Sequence, residues 1–90
     1  MMGPLPLGRI GATPGALQVL TEAGEDLRLL LARHASGDWG ELDEDDRREN
    51  KLSLNHGWRV LISYSVGGNT VWVITEADRS VTTILLPEEY

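Results

Sequence analysis

Ninety residues, 41% hydrophobic and 24% charged, describe one small globular domain: two cores cannot be built from so short a chain, and neither disorder, collagen nor a coiled-coil array has this usage. Cysteine is absent, which excludes disulfides, thiolate zinc sites, iron–sulfur clusters and a cysteine nucleophile. Eight basic against fourteen acidic residues leave a net charge of −6, which opposes attraction to phosphate backbones and anionic membranes and makes nucleic acid an unfavoured partner.

The opening Met1-Met2-Gly3-Pro4-Leu5-Pro6-Leu7 has no basic leader and no sustained apolar run. Nowhere do about 18 apolar residues follow one another, so a cytoplasmic protein with no membrane partner is expected. Residues 1–12 read as an extended arm or an edge strand, with Leu7 to Ala12 as the strand and Gly8 and Gly11 weakening it. Thr13-Pro14 starts a helix, Thr13 as cap and Pro14 at the first helical position, where its missing N–H costs nothing. That helix runs to about Ala23, with Ala16, Leu17 and Leu20 on its apolar side, and Gly24 suits a left-handed end. Glu25 and Asp26 open a second helix, which places Leu27, Leu30, Leu31 and His34 on one face and stops at Gly37.

A turn-rich connector, Ser36-Gly37-Asp38-Trp39-Gly40, leads to a third, polar helix expected from about Asp43 to Asn55, its acidic amino end matched to the helix dipole. From Trp58 the period falls to two. Trp58, Val60, Ile62, Tyr64 and Val66 point one way, and Arg59, Leu61, Ser63 and Ser65 the other. Gly67-Gly68-Asn69 supplies a tight hairpin turn, Thr70 to Glu76 returns, and a second turn at Ala77-Asp78-Arg79 leads into Ser80 to Leu86. The expected fold is α+β in the order β-α-α-α-β-β-β: two to three helices over residues 13–55, packed on a three- to four-stranded antiparallel sheet over 58–86.

Asp38, Glu41, Asp43, Glu44, Asp45, Asp46 and Glu49 gather half the acids in one stretch. A contiguous acidic run is not the alternating ligand set of a calcium loop, so it reads as a helix start with a solvated face, or as a surface mimicking nucleic acid. No metal site and no cofactor are expected. His34 is the candidate for acid–base chemistry, with Asp38 the carboxylate nearest in sequence, and a packed, hydrogen-bonded histidine is the plainer reading. No serine sits in a nucleophile elbow, and Gly67-Gly68 has neither the lysine nor the helix of a phosphate loop. Trp39 reads as a lid or a partner-facing anchor. Glu76, Asp78 and Arg79 read as an internal turn network or as the rim of a site.

The stretch Arg33-His34-Ala35-Ser36-Gly37-Asp38-Trp39-Gly40-Glu41-Leu42, with Trp72-Val73-Ile74-Thr75-Glu76-Ala77-Asp78-Arg79-Ser80 and Thr82-Thr83-Ile84-Leu85-Leu86-Pro87, resembles a family of small bacterial proteins carried on plasmids and other mobile elements. Automated labels for that family include plasmid-related protein and type I restriction methylase subunit, yet this chain holds no methyltransferase cofactor loop. The resemblance implies a mobile-element accessory protein. Two readings follow. In the first, the domain is a non-catalytic module that binds a host or element-encoded protein, blunting restriction or CRISPR defence, through Trp39, Asp43, Glu44, Asp45, Asp46, Asp78 and Arg79. In the second, the element order resembles the RelE-type messenger-RNA interferase toxins, and His34, Asp38, Tyr64, Glu76 and Arg79 are the acid–base and phosphate-contacting candidates. The acidic balance departs from those strongly basic toxins and ranks the first reading higher. Either reading admits a homodimer paired along a sheet edge.

Overall fold

The computed structural model describes residues 6–37 and 58–90. The expected helix from Asp43 to Asn55 and the residues Asp38, Trp39, Asp43, Glu44, Asp45 and Asp46 lie outside them. The described elements follow the order β1 (Arg9–Ala12), α1 (Pro14–Ala23), α2 (Leu27–Ser36), β2 (Val60–Val66), β3 (Asn69–Thr75) and β4 (Val81–Leu85), and a 3-10 turn at Pro87–Glu89 follows β4.

Both helices begin and end on the residues that the sequence marks. The Thr13 hydroxyl accepts the Ala16 N–H ahead of Pro14, and Gly24 closes α1 in the left-handed region at φ 68°. An Asp26 carboxylate oxygen accepts the Arg28 N–H at 2.8 Å to start α2, and Gly37 ends it at φ 84°. The apolar face of α2 is as expected: Leu30 and His34 are buried, and Leu27 and Leu31 pack against the core. On α1 the buried face centres on Ala16 and Leu20 with Val19 beside them, whereas Leu17 stays 44% exposed. At about 100° per residue, Leu17 falls on the flank of the stripe that Ala16, Val19 and Leu20 define.

The sheet is where expectation and structure part. Its order is β1-β4-β3-β2, with β2–β3 and β3–β4 antiparallel but β1 parallel to β4, in the register Arg9 with Val81 through Ala12 with Ile84. The sheet is therefore mixed, not antiparallel. The cause lies in what separates β1 from its partner: two helices and a hairpin intervene, so the chain re-enters beside β1 in the same direction instead of turning straight back. Gly8 makes this approach feasible. At φ 65°, it lies so close to the β3–β4 turn that a Cβ would stand 2.3 Å from the Ser80 carbonyl oxygen, and the next residue, Arg9, donates its N–H to that oxygen at 2.9 Å.

One face of the sheet carries Val60, Ile62, Tyr64, Val66, Val71, Val73 and Ile84, which form the core with Ala16, Leu20 and Leu30. The hairpin between β2 and β3 is a two-residue turn with Gly67 and Gly68 both at positive φ, and it pairs Val66 with Asn69. Below the helices, the carboxylate of Glu89 accepts the Thr13 hydroxyl and the Leu86 N–H. These bonds hold its pKa below the usual glutamate value and tie the end of the chain to the start of α1.

Replacing Gly8 by alanine strains a positive φ and drives a methyl into main chain that cannot give way. Gly8→Ala is expected to cost about 2 kcal/mol or more of unfolding free energy in urea titrations. Gly11→Ala, with nothing within 4 Å of its Cβ position, is expected to stay within about 0.5 kcal/mol of the parent.

Candidate functional site

His34 is fully buried, and so are the two threonines beneath it, Thr75 on β3 and Thr82 on β4. Its Nε2 lies 2.9 Å from the Thr75 hydroxyl oxygen, which lies 2.8 Å from the Thr82 hydroxyl oxygen. Thr82 in turn donates to the Leu7 carbonyl at 2.8 Å. This terminal carbonyl sets every proton in the file. A carbonyl only accepts, so the Thr82 hydrogen is spent on Leu7; Thr82 must then accept from Thr75, and Thr75 must accept from His34. His34 is thus the Nε2–H tautomer, with a bare lone pair on Nδ1.

That Nδ1 is buried and has no hydrogen-bond partner. The ring meets Tyr64 edge-on, with 6.4 Å between centroids, and the Arg33 guanidinium stands 5.0 Å from the Tyr64 ring centre. Burial, and secondarily the positive charge of Arg79, push the His34 pKa down to about 4. The imidazole is neutral near pH 7, as the proton direction of the file requires. Chemically, it is a fixed donor at one nitrogen and an unoccupied acceptor at the other, sealed from any substrate in solution.

Glu76, Asp78 and Arg79 form the β3–β4 turn. The Arg79 N–H donates to the Glu76 carbonyl at 2.9 Å, and its backbone adopts φ 61°, uncommon for a side chain with a Cβ. Its guanidinium Nη1 donates to the Trp58 carbonyl at 2.7 Å and the Glu76 carbonyl at 3.2 Å, bracing the turn against the approach to β2. Asp78 accepts both the N–H and the hydroxyl of Ser80, which holds its carboxyl below the usual aspartate range. The Glu76 N–H donates to the Val81 carbonyl at 3.0 Å. The turn network foreseen from the sequence is present, although Arg79 binds main-chain carbonyls rather than carboxylates.

The structure brings His34 and Tyr64 together and sets Arg79 close enough to act on the imidazole electrostatically. On the opposite face of the sheet, the Trp72 and Tyr90 rings meet edge-on at 5.7 Å and the Arg59 guanidinium lies 5.6 Å from the Tyr90 ring centre. Among the described residues, no three His, Asp or Glu side chains gather as metal ligands. Sequence reasoning passed over Thr75 and Thr82. The signal for them was a hydroxyl in the alternating positions otherwise filled by Val71, Val73 and Ile84, because a polar atom placed on a core face needs a partner.

The His34 pKa is depressed relative to an unfolded value near 6.5, so the unfolded chain takes up the proton first as pH falls. Stability is complete above about pH 6.5 and declines by about 3 kcal/mol toward pH 4. Urea unfolding at about pH 7.5 and about pH 5 is expected to show about 2 kcal/mol of this loss, and His34→Gln, which keeps a donor for Thr75 but does not titrate, is expected to flatten it. The carboxylates of Asp26, Asp78 and Glu89, whose pKa values are lowered, begin to lose their contributions only as pH falls toward their unfolded pKa values, at the lower end of this window, and go on losing them below it.

Comparison of the chain with protein-family models, with curated proteins and with solved structures found no match.

Proposed function

We propose that this domain is a non-catalytic protein-interaction module, a mobile-element accessory protein working in the bacterial cytoplasm against host restriction or CRISPR defence. Its ligand is a host or element-encoded protein. The observation that carries the reading is the burial of His34: the candidate acid–base imidazole is held neutral, with its proton committed to Thr75 and its ring enclosed. A group that catalyses must reach the reacting atoms. Arg79, the phosphate-contacting candidate, spends its guanidinium on the Trp58 and Glu76 carbonyls, and Arg59 lies over Tyr90 on the other side of the sheet. A net charge of −6 disfavours RNA and favours a basic protein surface. The contact residues of this reading are Trp39, Asp43, Glu44, Asp45 and Asp46, with Asp78 and Arg79 on the β3–β4 turn.

The RelE-type ribonuclease is the second reading. Two observations favour it: the order strand, helix, helix, three strands, and the approach of His34 to Tyr64. It requires the imidazole to become accessible.

A tagged protein is incubated with bacterial lysate beside two variants, His34→Gln and the fourfold Asp43→Asn, Glu44→Gln, Asp45→Asn, Asp46→Asn. The expected outcome is a specific host protein retained by the parent and by His34→Gln and lost, at least tenfold in recovery (about 1.4 kcal/mol), on neutralisation. RNA cleavage by the purified parent that His34→Gln abolishes would replace the interaction module with the ribonuclease.

A further inference from the structure

The two edges of the sheet are built differently. β1 is four residues long, contains Arg9 and Gly11 and follows Gly8, all of which blunt an edge. β2 is seven residues long, has no proline and no charge from Val60 to Val66, and pairs with β3 in an unbroken register without a bulge. Among the described residues, no strand lies on its outer side.

The hairpin fixes which groups face that open edge. A two-residue turn makes Val66 and Asn69 a hydrogen-bonded pair, so Val66, Tyr64, Ile62 and Val60 direct their N–H and C=O toward β3. The same alternation sends Trp72, Ile74 and Glu76 toward β4, and the bond from the Glu76 N–H to the Val81 carbonyl has that phase. Leu61, Ser63 and Ser65 therefore direct their backbone groups away from the sheet, and the Ser63 and Ser65 side chains are exposed.

We propose that β2 is the docking edge for a second copy of this chain, the two β2 strands pairing antiparallel about a two-fold axis at Ser63. The strand is self-complementary. Its three outward-directed residues are evenly spaced, so one register uses them all: Ser63 opposite Ser63 of the partner subunit, and Leu61 opposite Ser65 of the partner subunit, for about six backbone hydrogen bonds. Because Val60–Val66 is uncharged, two chains of net charge −6 meet along a line free of like charge. The helical side supplies a surface of mixed apolar and polar character at the same place. A shallow cleft of about 40 Å³ between α2 and the end of β2 is lined by Leu20, Leu30 and Val66 together with Ser65, Glu25 and Arg33, and Leu29 beside them is 63% exposed. The register sets Val60 of the partner subunit opposite Val66, which brings the second chain across the mouth of this cleft. The inference stands independently of the interaction module, since it uses neither the acidic stretch nor His34.

The chain has no cysteine, so Ser63→Cys introduces a single thiol. Across a hydrogen-bonded antiparallel pair, the two Cα atoms lie about 5.5 Å apart, within the span of a disulfide. Under mild oxidation, Ser63→Cys is expected to cross-link many-fold faster than Gln18→Cys, whose thiol would sit exposed on α1. Sedimentation of the parent is expected to show a dimer that dissociates on dilution, with the Leu61, Ser63 and Ser65 amides protected from exchange in the dimer only. Ser63→Lys, which faces solvent and leaves the core untouched, is expected to give a monomer with unchanged circular dichroism and free exchange at Leu61 and Ser65. Equal cross-linking rates for the two cysteine variants, a dimer that Ser63→Lys leaves intact, or a parent that is monomeric at every concentration would overturn the proposal. So would a monomer whose three amides stay protected at every dilution, because a segment of its own chain then covers the edge.

Discussion

A buried file of one imidazole and two hydroxyls, ending on the carbonyl of Leu7, joins α2, β3, β4 and the chain entering β1. Every hydrogen in it points toward Leu7, and a reversal would leave one donor unsatisfied in the core and deprive the half-buried Leu7 carbonyl of its hydroxyl. The file orients as well as stabilises. Apolar contacts between Leu30 and the sheet are tolerant of small rotations, whereas a bond of 2.9 Å from the His34 ring to Thr75 permits one rotation of α2 and one distance. The unpartnered Nδ1 is the cost of this arrangement: a ring with two nitrogens has been fitted into a site that satisfies only one.

The arm before β1 is held from the other side by contacts that depend on the same turn. Gly8 closes against the Arg79 and Ser80 main chain, Arg9 binds Ser80, and Arg79 takes a left-handed conformation to present its guanidinium to the Trp58 carbonyl. A residue with a Cβ at φ 61° costs of order 1 kcal/mol, which the side-chain bonds to two carbonyls offset. The β3–β4 turn is thereby the meeting place of three chain segments. Its charged residues are used for architecture before any ligand arrives, and a functional reading of Glu76, Asp78 and Arg79 from composition alone could not separate the two uses.

Helix limits were legible because capping chemistry is local: Thr13, Pro14, Gly24, Asp26 and Gly37 each act on backbone within one turn. The β2–β3 hairpin was legible for the same reason, since two consecutive glycines supply the positive φ values of its turn. Direction of pairing for β1 was not, because it is decided by partners far along the chain and by the fit of Gly8 against a turn that no local pattern announces. Burial of His34 followed from its spacing with Leu27, Leu30 and Leu31, but its tautomer needed Thr75, Thr82 and Leu7 in three dimensions. Leu17 shows the limit of counting apolar residues: the centre of a helical stripe is set by all its members, and a leucine on the flank stays wet.

The parallel pairing of β1 with β4 also dictates an order of events during synthesis. β1 leaves the ribosome ahead of both helices and the hairpin, yet its partner strand begins only at Val81, after they have emerged. The hairpin can form from its own local contacts as it appears, but β1 remains an open edge until β4 has emerged. Thr82 arrives with the same strand, so the acceptor file under His34 is also incomplete until then. A nascent chain stalled ahead of β4 would hold the apolar faces of its helices and hairpin but lack Ile84 from the core, the Thr82 end of the file and the only partner of β1 among the described strands.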